Sequence, residues 1–394
     1  MRLFLQCRYL MVFLWYRLIG GAFRLIKTKK RSIVVENYYG KGYGDNPKYI
    51  VDELIGRLGN TINIYWLLKN ENNDSLPSSV IPVKRGTIKE LVVLGTSEII
   101  LSNCRMHPGF KKKRNQYYVQ TWHGSIPLKK IEGDVESELG KEYIRTAKND
   151  SKYIDLLISN GDWCTKMYRR AFWYEGIVLE CGSPRLDFVI RDDKSRNKDI
   201  KKKLNISNNE ELVVLYAPTF RNEMVEDVFN IDFEGVENVI QKVFSKKSVV
   251  LQRFHPLVNS NFMKRSGIIN VSDYPDMYEL LQISDIIITD YSSIMFEAAY
   301  VFKPVFLFCR DIKNYSEERG WYFELDQLPF PIAINNDELI NNILSFDHIE
   351  YDNKVRAFLR KLGIVESGYA SKMVVDYLCS SILGKPDKVK GDLS

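Results

Sequence analysis

Two of the four histidines in this chain, His123 and His255, stand where acid–base chemistry is possible. Each follows a short run of apolar and β-branched residues that predicts a buried strand, one in each half of the chain. An imidazole titrates near neutral pH, so it can take a proton from an attacking hydroxyl or, when charged, stabilise a phosphate. A lone histidine is more often structural, but two at equivalent strand ends favour catalytic groups. His107 and His348 have no such placement and are interpreted as structural.

A serine-containing turn in the second half of the chain favours phosphate binding. Thr289 and Asp290 end an apolar strand, and Ser292 and Ser293 precede an apolar helix that contains Glu297. Free N–H groups at a helix start, together with serine hydroxyls, can hold a phosphate without a metal ion. Glu297, one turn into the helix, is in a position to accept hydrogen bonds from a ribose. The alternative is plain capping of the helix by serine.

Three arginines follow predicted strands and are further candidates for phosphate contacts. Arg221 and Arg253 end strands of the second half, where a fixed guanidinium fork suits phosphate oxygens better than an ammonium would. Arg185 lies in the turn Gly182–Asp187 after the last strand of the first half. Surface ion pairing is the alternative for the first two, and a simple hinge between domains is the alternative for the turn.

The strands that carry these residues alternate with helical segments such as Asn46–Leu58. The predicted strands are Ser32–Glu36, Ile62–Leu68, Glu98–Ser102, Tyr117–Gln120, Tyr153–Ser159 and Ile177–Cys181 in the first half, and Leu212–Ala217, Ser248–Arg253, Asp285–Thr289 and Pro304–Phe308 in the second. Such alternation indicates parallel sheets covered on both faces. We therefore expect an α/β fold with two Rossmann-like domains facing a central cleft.

A polar, highly charged segment, residues 191–211, interrupts this alternation and marks the expected domain boundary. The predicted organisation is an amphipathic membrane-association segment over residues 1–31, a first domain over 32–190, a second domain over 191–383 and a tail over 384–394. A chain of 394 residues with 45% hydrophobic residues is long enough for two well-packed domains.

Charge and cysteine content exclude several classes of protein. The formal net charge of +6 lacks the dense basic stripe of a nucleic-acid-binding protein, so no nucleic-acid partner is expected. The six cysteines are widely scattered, without a short Cys-x-x-Cys pair or clustered histidines, which indicates reduced thiols and no structural metal. Basic residues concentrate at 24–31 and at 111–114, where they form either solvated faces or a surface attracted to anionic lipid.

The first 26 residues are rich in aromatic and aliphatic side chains but are interrupted by arginines. No charge-free run is long enough for a membrane span, and no signal-peptide cleavage site is evident. On a helical wheel Arg17, Arg24 and Lys27 share roughly one quarter of the circumference with Arg2 and Gln6. This pattern predicts a helix lying in the bilayer interface. The alternative is a first helix packed on the core of the protein itself.

The ordered set of polar motifs resembles the CDP-glycerol glycerophosphotransferase family, which includes teichoic-acid primases and polymerases and their capsule-making relatives. The motifs are Gly44–Pro47, Gln120–Gly124 with Pro127–Lys130, Gly182–Arg185, Tyr216–Thr219 with Arg221, Arg253–Pro256, and Thr289–Ser293. They span roughly residues 32–332 in the family's order. Ser183 stands where the family often has an aromatic residue and Phe220 where tryptophan is common, but neither change removes a proposed reactive group.

The resemblance implies a GT-B architecture, with a CDP-linked donor bound by the second domain and an acceptor entering from the first. It implies that His123 is the base and His255 a phosphate-contacting group. The donor site then comprises Arg221, Arg253, Thr289, Asp290, Ser292, Ser293 and Glu297, and the acceptor or cleft residues are Asp45, Asn46, Trp122, Gly124 and Arg185. It also implies no metal or other cofactor and peripheral attachment to the anionic cytoplasmic face of the bacterial cell membrane.

The expected reaction is transfer of glycerol phosphate from CDP-glycerol to a hydroxyl of a lipid-linked or polymeric glycan, with release of CMP. A CDP-ribitol phosphotransferase is the alternative donor chemistry, and a sugar transferase of the same architecture is a more distant one. A non-catalytic, membrane-bound nucleotide-binding scaffold is the alternative of another class. The residues leave open whether one unit is added or many.

Overall fold

The computed structural model describes residues 10–70, 76–206, 211–221, 229–254, 267–312 and 320–384. These residues divide into two compact units. The first takes in the chain up to His123, then Glu132–Asp187, and the residues from Val365 onward. The second consists of Gly124–Ile131 and Phe188–Ile364.

The first unit is built on a seven-stranded, fully parallel sheet. Its strands are β1 Lys29–Glu36, β2 Asn63–Leu68, β3 Val80–Lys84, β4 Ser97–Ser102, β5 Tyr117–Gln120, β6 Leu156–Ser159 and β7 Ile177–Glu180, in the order β3-β2-β1-β4-β5-β6-β7. Strand β1 pairs with β2 on one side and β4 on the other. Because both faces of these strands are covered, they carry continuous apolar runs such as Ile33–Val35, which is buried throughout.

The second unit contains a six-stranded parallel sheet. Its strands are β8 Leu212–Tyr216, β9 Ser248–Gln252, β10 Ile268–Asn270, β11 Ile286–Thr289, β12 Val305–Phe308 and β13 Ile332–Ala333, in the order β10-β9-β8-β11-β12-β13. One face packs through Val214, Ile288 and Phe306 against Val236 and Ile240 of a covering helix. The expected α/β fold with two Rossmann-like parallel sheets is confirmed.

Helices connect the strands in both units. The first unit contains Trp15–Ile19, Gly20–Phe23, Asp45–Leu58, Gly59–Thr61, Ile88–Thr96, Glu132–Glu138, Lys141–Ser151, Asp162–Ala171, Pro184–Leu186, Ala370–Leu378 and Cys379–Leu383. The helix Asp187–Ile190 follows at the boundary, and the second unit contains Lys194–Lys203, Phe233–Phe244, Met277–Ile283, Ile294–Ala299, Leu325–Gln327, Asn336–Leu344 and His348–Lys361.

The predicted strands are found within a few residues of their expected bounds, and the strands that were missed lie at sheet edges. Strands β3, β10 and β13 are short and partly exposed. The predicted strand at Tyr153–Ser159 was too long. Its first residues form a turn in which the Tyr153 amide donates to the Asp150 carbonyl over 2.8 Å.

The observed units differ from the expected domain bounds in two segments. Residues 365–383, expected in the second domain, belong to the first unit, and Gly124–Ile131, expected in the first domain, belongs to the second. The charged segment 191–211 contains the helix Lys194–Lys203, capped by the Asp193 carboxylate, which accepts from the Ser195 and Arg196 amides. Of the expected tail, only Gly384 lies within the described residues.

Within the expected membrane-association segment, residues 10–23 are helical, residues 24–28 form a turn and its continuation, and residues 29–31 already belong to β1. Apolar side chains are exposed in the helix and the turn. Leu18 and Leu25 are 64% and 91% exposed, whereas Tyr16 is buried against the first unit. Arg2 and Gln6, which the helical wheel grouped with Arg17, lie outside the described residues. Within the described ranges, every helix is either too short or too polar to cross a bilayer.

Candidate active site

The loop that follows β5 carries His123 in a conformation fixed by its neighbours. Trp122 has a φ of 52°, a left-handed backbone that is unusual for a bulky residue. The side-chain oxygen of Gln120 accepts from the Trp122 amide over 2.9 Å and so stabilises this turn. The indole of Trp122 stacks on the His123 ring with centroids 4.3 Å apart and packs against Phe172. The Trp122 indole therefore packs against one face of the His123 imidazole.

One nitrogen of the His123 ring has a defined role. Its Nδ1 lies 2.6 Å from the carbonyl oxygen of Asn103. Because a carbonyl can only accept, Nδ1 carries the hydrogen, and Nε2 of the neutral ring then carries the lone pair. Burial lowers the pKa of His123 below its usual value, although the bond to Asn103 opposes this effect. The ring is thus neutral near pH 7, as a general base requires.

A buried ion pair lies behind the His123 backbone. Nη1 of Arg185 donates to the Asp45 carboxylate over 2.8 Å and to the His123 carbonyl over 2.9 Å. The Tyr38 hydroxyl donates to the same carboxylate over 3.1 Å. The Asn46 amide group donates to the Trp122 carbonyl, and its oxygen accepts from the Arg185 amide. The predicted residues Asp45, Asn46, Trp122 and Arg185 are therefore brought together around His123, where they order its loop.

The turn that carries Arg185 is held by a residue that sequence reasoning missed. The Glu366 carboxylate accepts from the Ser183 amide over 2.9 Å and from the Ser183 hydroxyl over 2.7 Å. Gly182 has a φ of 94°, and a Cβ there would lie 2.7 Å from Oε2 of Glu366, so the close approach requires glycine. Burial raises the pKa of Glu366 to about 7 despite the bonds from Ser183. None of the sequence motifs includes Glu366, which lies 183 residues from Ser183 in sequence.

In the second unit, Arg221 and Asp290 form the centre of a buried network. Nη2 of Arg221 donates to Asp290 over 2.8 Å, Nε donates to Asp311 over 2.6 Å, and Nη1 donates to the Thr219 carbonyl over 2.9 Å. Asp290 also accepts from the Thr219 amide and hydroxyl. Burial opposes ionisation of Asp311, but its bonds with Arg221 outweigh burial and lower its pKa. These contacts favour a structural role for Arg221, predicted as a phosphate ligand.

The serine turn after β11 is largely occupied by its own hydrogen bonds. The Ser292 hydroxyl accepts from the Ile294 amide at 3.5 Å, and the Ser292 and Ser293 carbonyls accept from the amides of Met295 and Phe296. The helix Ile294–Ala299 has only six residues. The Ser292 contact fits the capping alternative, whereas Ser293 stands at the N-cap without a side-chain cap bond, so these contacts do not decide between capping and phosphate binding.

Two other predicted donor residues next to this turn are buried. The Thr289 hydroxyl donates to the Ala217 carbonyl over 2.7 Å, and this threonine is fully buried. Glu297 is likewise buried, with 2% of its surface exposed.

Gly124 follows His123 and is half-buried. His255 lies outside the described residues, so its predicted role stays a prediction.

Arg253, at the end of β9, differs from Arg221 in its partners. Its Nη1 donates to the carbonyls of Val271 and Tyr274 over 3.2 and 2.7 Å. It makes no ion pair with any described residue, and burial lowers the pKa of its guanidinium. A half-buried cation held only by carbonyls is well suited to an anionic ligand.

Across the described residues, no three histidine, cysteine, aspartate or glutamate side chains are grouped as a metal site would require.

Residues 21–380 match the family described as CDP-Glycerol:Poly(glycerophosphate) glycerophosphotransferase. The chain belongs to this family. The match takes in every motif on which the resemblance was based, so the predicted family is confirmed.

Individual relatives within the glycerophosphotransferase family agree with this assignment. The chain is 33% identical to a teichoic acid poly(glycerol phosphate) polymerase of Staphylococcus epidermidis, over 90% of this chain and 51% of that protein. It is 31% identical to a teichoic acid glycerol-phosphate transferase of Staphylococcus aureus, over 90% of this chain and 95% of that protein. It thus spans about half the length of the first relative and nearly all of the second.

A solved structure agrees with the same assignment. The wall teichoic acid polymerase TagF, in a variant soaked with CDPG, superposes with a TM-score of 0.79 at 29% identity, over 95% of this chain and 97% of that one. The likeness extends through both units, because nearly the whole of each chain is covered.

Proposed function

We propose that this member of the glycerophosphotransferase family transfers glycerol phosphate from CDP-glycerol to a hydroxyl of a membrane-associated glycan or teichoic-acid acceptor. The observation that carries the proposal is the orientation of His123, whose Nδ1 is bonded to the Asn103 carbonyl while the ring has a lowered pKa. A neutral imidazole with its lone pair on Nε2 is the group that such a reaction needs to receive the acceptor's proton.

In the proposed step, the acceptor oxygen attacks the β-phosphorus of CDP-glycerol in line with the bond to the leaving group. A new bond forms between the acceptor oxygen and this phosphorus, and the bond from the phosphorus to the bridging oxygen breaks. The electron pair of that bond leaves with CMP, and the acceptor proton passes to Nε2 of His123. Positioning and charge stabilisation supply most of the rate enhancement in phosphoryl transfer.

Arg253 is the described residue best suited to the donor phosphates. Its guanidinium is half-buried, is anchored through Nη1 by two carbonyls, and has no carboxylate partner among the residues that the structure describes. A bound diphosphate would supply the missing negative charge. We therefore assign Arg253 to donor binding, together with His255, which the family resemblance implies.

The proposal is tested by measuring CMP release after replacing His123 with alanine. Loss of a general base lowers turnover by about 10²- to 10⁴-fold, while the affinity for CDP-glycerol is expected to stay within a few-fold of wild type. His348→Ala, at the start of an outer helix of the second unit, is the control and should release CMP at the wild-type rate. Turnover of His123→Ala within twofold of wild type would contradict the proposed role.

The identity of the donor is tested in the same assay. CMP release from CDP-glycerol is compared with release from CDP-ribitol, the alternative donor, at equal concentrations. Faster release from CDP-ribitol would replace the proposed donor, and release of a nucleoside diphosphate from a sugar donor would replace the reaction class. The absence of turnover with every donor and acceptor would favour the non-catalytic scaffold.

We also propose that the N-terminal helix attaches the protein to the anionic cytoplasmic face of the bacterial cell membrane. The exposed side chains of Leu14, Leu18 and Leu25 and the basic residues nearby support this location. Aliphatic side chains in the headgroup boundary and basic residues near anionic lipid are typical of peripheral helices. Sedimentation with phospholipid vesicles tests the proposal, and a wild-type protein that stays in the supernatant would contradict it.

A further inference from the structure

A small cavity lies between the N-terminal helix and the rest of the first unit, with a volume of about 110 Å³. Arg17 and Arg24 line it from the helix, and Lys111 lines it from the loop before β5. Glycines, including Gly21 and Gly109, form much of the remaining wall. We call this cavity the cationic pocket.

The helix that forms one side of the cationic pocket is fixed to the first unit. The Tyr16 hydroxyl donates to the buried Glu90 carboxylate over 2.7 Å, and the Tyr16 ring stacks on His107 with centroids 4.2 Å apart. A Cβ on Gly109 would lie 2.5 Å from the Phe13 carbonyl oxygen, so the helix backbone rests directly on this glycine. The pocket is thus formed by packed, well-anchored elements.

The three positive charges around the cationic pocket are not balanced locally. Arg17, Arg24 and Lys111 make no ion pair with any residue in the described ranges. A fourth cation, Lys113, donates to the Ile26 carbonyl, and burial together with the charge of Arg24 lowers its pKa. Cations that repel one another around a cavity favour an anion of matching size.

We propose that the cationic pocket binds the phosphodiester of an anionic phospholipid headgroup, such as phosphatidylglycerol. The apolar side chains of Leu14 and Leu18 are exposed on the same helix and that of Leu25 in the turn after it, so acyl chains and headgroup can be engaged by adjacent parts of one segment. Free phosphate offers the same charge but no acyl chain, and so would not use these leucines. The inference rests on the proposed membrane attachment and specifies the lipid that it recognises.

The test compares two double variants that each remove two positive charges. Arg17→Gln/Arg24→Gln alters the cationic pocket, whereas Lys27→Gln/Lys29→Gln alters exposed lysines of the same region that do not line it. Removing a basic residue near anionic lipid weakens binding roughly fivefold, because its attraction to the negative membrane surface is lost. Both variants are expected to show this loss of affinity for each charge removed. We expect the pocket variant to lose at least tenfold more affinity for vesicles containing phosphatidylglycerol. Equal losses in the two variants would overturn the proposal.

A third variant changes the shape of the cationic pocket without changing its charge. A Cβ on Gly21 would meet no atom within 4 Å, so Gly21→Leu places its side chain in the space there without a clash at Cβ. We expect it to bind pure phosphatidylcholine vesicles at least as well as wild type and to lose the preference for phosphatidylglycerol. An unchanged preference would contradict the inference.

Two further measurements distinguish binding of a lipid headgroup from binding of free phosphate, and loss of membrane binding from loss of catalysis. Inorganic phosphate at millimolar concentration should leave vesicle binding unchanged, and complete competition by phosphate alone would mean a site for the free anion. CMP release with soluble donor and acceptor should be unchanged in all three variants. If wild type binds vesicles without any preference for phosphatidylglycerol, the pocket inference fails while membrane attachment stands, and if wild type does not bind vesicles, both fail.

Discussion

The His123 loop of the first unit and the Arg221 network of the second are both supported by buried arginine–aspartate contacts, but they leave different groups available for chemistry. In the first unit, Arg185 of the Arg185–Asp45 pair donates to the His123 carbonyl and so helps to order the loop, while Nε2 of the imidazole makes no hydrogen bond with any described residue. In the second unit, every nitrogen of Arg221 donates to a protein oxygen. The comparison indicates that an arginine at a strand end is a ligand candidate only when no carboxylate neutralises it.

The strongest test of this comparison is Arg221→Ala. The substitution leaves the buried carboxylate of Asp290 and the partly buried carboxylate of Asp311 without their cation, which costs about 3–5 kcal/mol of unfolding free energy. Urea unfolding followed by fluorescence measures the loss. Arg196→Ala is the control, because its ion pair with Glu279 is about one-third exposed on the arginine side, and such a pair contributes about 1 kcal/mol or less. A loss below about 1 kcal/mol for Arg221→Ala would mean that Arg221 is not a structural residue.

Arg253→Ala should show the opposite behaviour. It removes a cation that donates hydrogen bonds only to carbonyls of described residues and forms no ion pair with them, so we expect little change in unfolding. The KM for CDP-glycerol should rise by about tenfold to a hundredfold, because charged hydrogen bonds to the donor are lost. Arg253→Lys should recover part of this loss, since it keeps the charge without the fork. An unchanged KM with lower stability would assign both arginines to structural roles.

The contrast between these arginines marks the limit of prediction from sequence. Apolar runs such as Ile286–Ile288 predict buried strands, and the residues after them lie at the carboxyl end of the sheet as expected. The partners of Arg221 are 69 and 90 residues away, and no local pattern indicates that their carboxylates reach it. Sequence therefore indicates which side chains lie at strand ends, but not which of them are already neutralised.

For the His123 loop, too, the sequence predicted the residues but not the contacts that fix them. The histidine and its neighbours were identified from motif and position, whereas the Asn103 carbonyl that fixes its tautomer has no sequence signal, because every residue carries a carbonyl. The left-handed backbone of Trp122 is also invisible in sequence, since bulky residues rarely adopt it. Edge strands such as β3 escaped detection because they do not need two apolar faces.

Asp45→Asn tests the first half of the comparison. It keeps the size of the side chain but removes the charge that Arg185 pairs with, so the His123 backbone loses part of its support. We expect kcat to fall by about tenfold, because small displacements of a reacting group are costly, with less than twofold change in the KM for CDP-glycerol. A change in KM alone would instead indicate that Asp45 contacts a substrate. Asp52→Asn, on the exposed side of the same helix, is the control.

The smallest expected effect concerns Glu366, which acts on His123 through the turn that carries Arg185. Burial raises the pKa of this carboxyl to about 7, so it is ionised above that pH and accepts both bonds from Ser183. As pH falls through 7 the carboxyl is protonated, one acceptor oxygen is lost, and kcat should decrease. Glu366→Gln resembles the protonated state at every pH. Its kcat at pH 8 should be reduced by roughly tenfold or less, and the decline near pH 7 should be absent.

The pH profile of this variant separates Glu366 from His123 itself. Burial lowers the pKa of His123 below its usual range, so wild-type kcat should fall in two stages, and Glu366→Gln should retain only the lower one. Glu180→Gln, an exposed glutamate at the end of β7, is the matched control and should retain both. CMP release measured between pH 5 and 9 gives the profiles. If Glu366→Gln also loses activity near pH 7, that stage belongs to another group, and Glu366 only stabilises the turn.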